Sequence, residues 1–184
     1  MHGVVLTTWF VLVFAQTCLV AAHRTDLHRR LGVAAAVVAV LVVPISAFVT
    51  VRFVPRAIAF GLDQTAIKGI VIGDLVSLVI FSSLVATALY FRRGPEVHKR
   101  LIIASCAVLF GPINARLARL GMARPAPGGL ILLPLLVLGV YDLIALRRLH
   151  RATMWFALLY GFVFAAFALT FGSAAADAFI DSLR

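Results

Sequence analysis

Six long apolar stretches follow one another along the chain, and short polar segments separate them. The apolar runs are continuous and do not alternate with polar residues, which is typical of buried or membrane helices and not of half-buried strands. A helix needs about 20 mainly apolar residues to cross the hydrocarbon core of a bilayer. The pattern therefore predicts transmembrane helices at residues 3–22, 31–51, 69–91, 97–117, 129–146 and 152–172, with the tail 173–184 as an extension of the last.

A basic segment that carries a histidine recurs at three junctions between these stretches. It occurs at 27–31 as Leu-His-Arg-Arg-Leu, at 97–101 as Val-His-Lys-Arg-Leu and, in a looser form, at 149–151 as Leu-His-Arg. Each copy ends one apolar stretch and begins another. We therefore expect an all-α integral membrane bundle of six transmembrane helices, built as three helical hairpins and forming a single domain over residues 1–184. The first stretch is expected to be a retained helix, because no basic segment precedes it and its run is longer than that of an ordinary signal peptide.

Composition supports a membrane protein and favours lipid headgroups over nucleic acid as the partner of the basic residues. The chain is 63% hydrophobic and only 13% charged, with a mean hydropathy of +1.08, which lies far outside the range of soluble domains. Its formal net charge of +10 is spread over short helix edges and leaves no soluble domain that would form a nucleic-acid groove. We therefore expect anionic lipid headgroups at the basic corners, no nucleic acid, and either a membrane-protein partner or a second copy of the chain.

The distribution of basic residues predicts the orientation. Ten lysines and arginines flank the three histidine corners, and the other seven are spread over the longer connections on the opposite side. Positive residues favour the cytoplasmic side of a bilayer. The corners are therefore expected in the cytoplasm and both termini outside, as in a protein of the bacterial inner membrane.

The corner histidines are the candidate cofactor ligands. His28, His98 and His150 are expected at about one membrane depth, and imidazole ligates haem iron and transition metals. Candidate metal ligands are His98 and His150, with haem b or a transition metal as the cofactor. The alternative is that these histidines lie at the interface and bond lipid phosphate, backbone or a neighbouring carboxylate.

Two acidic residues inside the apolar stretches are the other candidates for function. Asp74 and Asp142 each lie about five residues from the end of a predicted span, on the order of 7 Å inside it. A carboxylate at that depth requires a cation, a proton or the bundle interior. Asp74 is predicted to form a buried polar pair with Arg116. Asp142 is predicted to share the inner layer with the corner histidines, where it orients a ligand, assists proton transfer or only satisfies buried polar groups.

Several of these residues together carry a family resemblance. The succession of the 28–32 corner, Gly73-Asp74, the 95–101 corner, Arg116, Tyr141-Asp142 and the 149–153 corner resembles a group of small bacterial multi-pass inner-membrane proteins. The resemblance implies a helical inner-membrane protein and implies no reaction. The hairpins and histidines alone also resemble b-type membrane cytochromes, in which histidines on successive hairpins hold haem.

Three functions are consistent with the sequence, and whether the protein is an enzyme stays open. The first is a haem- or metal-binding redox protein of the membrane, and the second is a non-enzymatic integral subunit or lipid-binding scaffold of a larger complex. The third is a small proton-linked transporter that uses the two intramembrane carboxylates. No motif of a soluble enzyme domain occurs in the sequence.

Overall fold

A computed structural model describes residues 2–110 and 129–183, and within these ranges the chain is all-α. The helices are α1 (His2–Ala21), α2 (Thr25–Ala59), α3 (Gln64–Tyr90), α4 (Pro95–Val108), α5 (Gly129–Leu146), α6 (Arg151–Phe171) and α7 (Ala174–Ser182). Four of them, α1, α2, α3 and α6, are long and apolar enough to cross a membrane, and α5 carries a shorter apolar segment, Leu135–Leu146. The chain thus has the helices of a membrane protein.

Several predicted boundaries differ from the observed ones. Helix α3 begins at Gln64, five residues before the predicted start at 69. Helix α2 begins before and ends well after the predicted span 31–51, because Thr25 and Asp26 form its first turn and the helix continues through Arg52 and Arg56. Helix α4 begins at Pro95, and the rest of the predicted span 97–117 falls partly outside the described residues. The tail does not extend α6.

The separation of α6 from α7 has a local cause. The Ser173 hydroxyl donates to the Thr170 carbonyl at 2.7 Å, and the same oxygen accepts from the Ala176 amide at 3.3 Å. Ser173 is therefore the N-cap of a new helix, as serine commonly is.

The described residues form two compact units, Met1–Val49 and Thr50–Arg184, and the boundary lies inside α2. In the first unit, α1 packs antiparallel to the first part of α2. The His2 ring lies 3.3 Å from the Ser46 hydroxyl, and the Gln16 amide lies against Gly32. Trp9, midway between those two contacts, is only 2% exposed. The contact positions of α1 are seven residues apart, which is the spacing of a coiled-coil seam.

In the second unit, α3 is the central helix. Its C-terminal half packs on α4 and α6 in a cluster that includes Ile80, Leu84, Leu101 and Phe156. Its N-terminal half packs on the end of α2 and on α7 in a second cluster. That cluster contains Val54, Ala57, Ile67, Val71 and Ile180. The site described below lies at the C-terminal end of α3.

Candidate functional site

Five residues of the second unit form a hydrogen-bonded polar group, which we call the Asp142 cluster: Glu96, Arg100, Asp142, His150 and Thr153. Glu96 and Arg100 lie one turn apart at the start of α4. Asp142 lies near the end of α5, while His150 and Thr153 lie at the start of α6. The cluster therefore joins three helices at one end of the unit.

Asp142 is fully buried, and both of its carboxylate oxygens are occupied. Oδ1 accepts from Arg100 Nε at 3.1 Å and also from Arg100 Nη2. Oδ2 accepts from the Thr153 hydroxyl at 2.6 Å and from the His150 backbone amide at 2.9 Å. A carboxylate offers about four acceptor positions, so four donors saturate it.

Arg100 is the buried cation of the cluster, with 2% of its surface exposed. Besides its bonds to Asp142, its Nη1 donates to Glu96 Oε2 at 2.6 Å and to the Glu96 carbonyl at 2.8 Å. The other Glu96 oxygen accepts from Lys99 at 2.7 Å. The hydrogen bonds from Lys99 and Arg100 hold the pKa of the Glu96 carboxyl below its ordinary value. Two cations thus balance two carboxylates.

The two corner histidines of this unit have opposite hydrogen-bond roles. His150 is the N-cap of α6, and its Nδ1 accepts from the Ala152 amide at 3.1 Å. A neutral His150 therefore carries its proton on Nε2. His98 Nδ1 donates to the Ala88 carbonyl at 2.8 Å, which leaves the lone pair of a neutral ring on Nε2. The His98 arrangement is common among metal-ligating histidines, whereas Nε2 of His150 has no lone pair to offer in that form.

The predicted cofactor residues are only partly brought together. Asp142 meets His150 through the backbone amide and not through the imidazole. His28 lies in the other unit, where its Nδ1 is buried without a hydrogen-bond partner among the described residues. Within residues 2–110 and 129–183 there is no group of three or more histidine, cysteine or acidic side chains placed to hold a metal. Ligation by His98 and His150 stays a prediction.

The predicted Asp74–Arg116 pair involves a residue, Arg116, that lies outside the described part of the chain. Asp74 Oδ2 accepts from the Thr50 hydroxyl at 3.4 Å. This contact links the end of α2 to α3 within the second unit.

A second ion pair, between a buried lysine and a half-exposed aspartate, lies at the other end of α3. Lys68, which is 7% exposed, donates to Asp177 of α7 at 2.6 Å, and its Nζ lies 5.2 Å from the centre of the Phe171 ring. The side-chain amide of Gln64 also donates to the carboxylate of Asp181, in the same helix, at 3.3 Å. The sequence analysis did not anticipate either contact.

Arg100 belongs to the basic 97–101 corner, which is predicted to face anionic headgroups, and the structure instead buries its side chain. It is buried because it lies on the apolar face of α4, beside Leu101 and Ala104. Two signals were available: Glu96 precedes Arg100 by four residues, and the intramembrane Asp142 required a cation at its own depth.

Comparisons with known protein families, with curated proteins and with solved structures give no match to this chain. The resemblance to small bacterial inner-membrane proteins therefore stays a prediction, and function has to be argued from the Asp142 cluster.

Proposed function

We propose that this protein is a non-enzymatic helical scaffold of the bacterial inner membrane, acting as an integral subunit of a larger membrane complex. The observation that carries the proposal is the saturation of Asp142 by four donors from two other helices. In this proposal the chain crosses the bilayer six times as three hairpins, with the histidine corners in the cytoplasm and both termini outside.

A carboxylate that carries protons or binds substrate needs an acceptor position that opens during the cycle. Asp142 offers none without breaking a bond to Arg100, Thr153 or the His150 amide. Arg100 is itself held by Glu96. A network satisfied in this way fixes three helices relative to each other, which favours a structural role.

The distance between the two charged ends also supports a membrane scaffold. Lys68 and Ala88, which receives the His98 bond, are 20 residues apart in α3. At about 1.5 Å per residue this is roughly 30 Å, the thickness of a hydrocarbon core. The two ion pairs would then lie near the two faces of the bilayer, and the apolar clusters between them.

Proton flux in liposomes tests the proposal. The purified chain is reconstituted with a pH-sensitive dye inside, and wild type is compared with Asp142→Asn, Asp74→Asn and protein-free liposomes. A scaffold gives the leak rate of protein-free liposomes in every case. Flux above that rate which is lost in a folded, inserted Asp142→Asn or Asp74→Asn variant would instead support the proton-linked transporter.

One observation favours a second candidate, a haem- or metal-binding redox protein. The His98 ring is oriented by the Ala88 carbonyl, so Nε2 of its neutral form keeps a lone pair. Titration of the detergent-solubilised protein with haem b, and separately with Zn²⁺ or Cu²⁺, tests this candidate. The redox candidate predicts stoichiometric binding that His98→Ala abolishes. His150→Ala is the control and should leave that binding in place, because Nδ1 of His150 already caps α6.

A further inference from the structure

Five arginines on two corners of the second unit have guanidinium groups without any partner among the described residues. Each is exposed, and none takes part in an ion pair or a side-chain hydrogen bond: Arg92, Arg93, Arg147, Arg148 and Arg151. The other basic corner residues of this unit, Lys99 and Arg100, both have carboxylate partners. The exposed charge at this end of the unit therefore has no ion-pair partner among the described residues.

The Asp142 cluster holds the two corners next to each other. Glu96 follows the corner that contains Arg92 and Arg93, and the His150 amide belongs to the other corner. Arg100 bonds Glu96 at 2.6 Å and Asp142 at 3.1 Å, and Asp142 accepts from the His150 amide at 2.9 Å. Three successive hydrogen bonds thus fix the separation of the two arginine sets.

The backbone of the second corner is also held in an uncommon conformation. Arg147 has a φ of 52°, and its amide donates to the Leu143 carbonyl at 3.1 Å. Glycine or asparagine usually occupies such a position at the end of a helix. The conformation reverses the chain directly after α5 and keeps Arg147 and Arg148 at the exposed end.

We propose that these two corners form one binding surface for the phosphate groups of anionic phospholipids, and we call this surface the arginine face. Guanidinium groups bind phosphate in a bidentate manner and keep their charge at any physiological pH. Large apolar side chains lie immediately beside the arginines: Trp155, one turn after Arg151, is 71% exposed, and Ile144 is 77% exposed. Phosphate contacts above an exposed apolar surface match a lipid, and neither free phosphate nor nucleic acid requires that apolar surface.

The expected effect follows from the number of charges. One basic residue near an anionic membrane surface changes binding about fivefold. Arg148→Gln should therefore lower the preference for anionic over zwitterionic lipid by up to about fivefold. If the two corners form one surface, the double variant Arg92→Gln and Arg93→Gln should also lower the preference for anionic lipid that is measured at Trp155. Trp155 belongs to the other hairpin, so separate corners would give no such effect.

Quenching of tryptophan fluorescence by brominated lipids measures this preference at the site. The chain has two tryptophans, and Trp9 is buried in the first unit, so a Trp155→Phe variant supplies its background signal. The full chain is reconstituted with mixtures in which either phosphatidylglycerol or phosphatidylcholine carries the bromine near the headgroup. We expect stronger quenching of Trp155 by brominated phosphatidylglycerol, weakened by salt and by both corner substitutions.

Arg24→Gln is the matched control, because Arg24 is a corner arginine in the first unit that lies 3.7 Å from Asp26. It should leave the quenching of Trp155 unchanged. The proposal is overturned by equal quenching by the two lipids, by an equal effect of Arg24→Gln and Arg148→Gln, or by competition from inorganic phosphate or a short oligonucleotide. These outcomes do not bear on proton flux, so failure of the lipid surface is distinguishable from failure of the scaffold function.

Discussion

The buried pair between Arg100 and Asp142 is predicted to be strongly coupled, so that loss of one partner alone destabilises the second unit far more than loss of both. Arg100 is 2% exposed and Asp142 is fully buried. Removal of Arg100 leaves the Asp142 carboxylate uncompensated in the interior, and removal of Asp142 leaves the buried guanidinium with only the half-exposed carboxylate of Glu96. Breaking a buried ion pair in this way costs about 3–5 kcal/mol. We expect a loss of that size for Arg100→Met and for Asp142→Leu, each measured alone.

The double variant should lose less free energy of unfolding than the sum of the losses in the two single variants. With both charges replaced by apolar groups no buried charge remains in the Asp142 cluster, and such replacements are often close to neutral. The His150 amide and the Thr153 hydroxyl would each lose their acceptor, at roughly 1–3 kcal/mol per group, but Asp142→Leu alone has the same loss, so it cancels from the comparison. The two single losses together should therefore exceed the loss in the double variant by about 3 kcal/mol or more.

Reversible unfolding in mixed lipid–detergent micelles, followed by circular dichroism during titration with a denaturing detergent, measures these free energies. Thr153→Val is the matched control inside the cluster, and its loss should be about 1 kcal/mol, because it removes one interhelical hydrogen bond. Single losses below about 1 kcal/mol, or additive losses in the double variant, would refute the assignment of Asp142 and Arg100 as a coupled structural pair.

Three further effects are expected. Asp177→Asn should destabilise α7 by about 1–3 kcal/mol and increase hydrogen exchange there, because it leaves a buried ammonium without its carboxylate, whereas Asp26→Asn should cost under about 0.5 kcal/mol. Gln16→Leu should raise the thermal midpoint, because Oε1 of Gln16 is buried without a hydrogen-bond partner among the described residues, and a lower midpoint would contradict this. The hydrogen bond from Lys99 is the main cause of the lowered pKa of Glu96, so the stability that Glu96 contributes is present above its ordinary pKa of 4.5 and is lost as the pH falls through the lower folded-state pKa. Glu96→Gln should therefore weaken the fall in the free energy of unfolding at acid pH, and an unchanged fall would contradict the assignment.

The sequence predicts helix bounds most accurately where the length of the apolar run alone determines the length of the helix. The predicted span 129–146 coincides with α5, and 152–172 differs from α6 by one residue at each end. Helix α2 was underestimated because polar residues in its first and last turns continue the helix beyond the apolar run. The break at Ser173 was missed because a side-chain cap, and not a loss of apolar character, begins α7.

The sequence predicts that Asp142 has a polar partner near the corners, and it does not identify that partner. Hydropathy marks Asp142 as a carboxylate that needs a partner near the corners, and this is where its donors lie. The partner was assigned to the histidines because Arg100 belongs to a basic run, and a run of charges does not reveal which member points inward. The helical period does: Arg100 lies one turn before Ala104 and two turns before Ala107, on the buried side of α4.

The most direct test of the scaffold account is the oxidised and dithionite-reduced visible spectrum of the protein as purified in mild detergent, with metal content measured on the same sample. The account predicts a colourless, metal-free protein that remains folded and keeps its membrane partners during purification. A Soret band that shifts on reduction and disappears in His98→Ala would contradict it and would make the protein a haem protein.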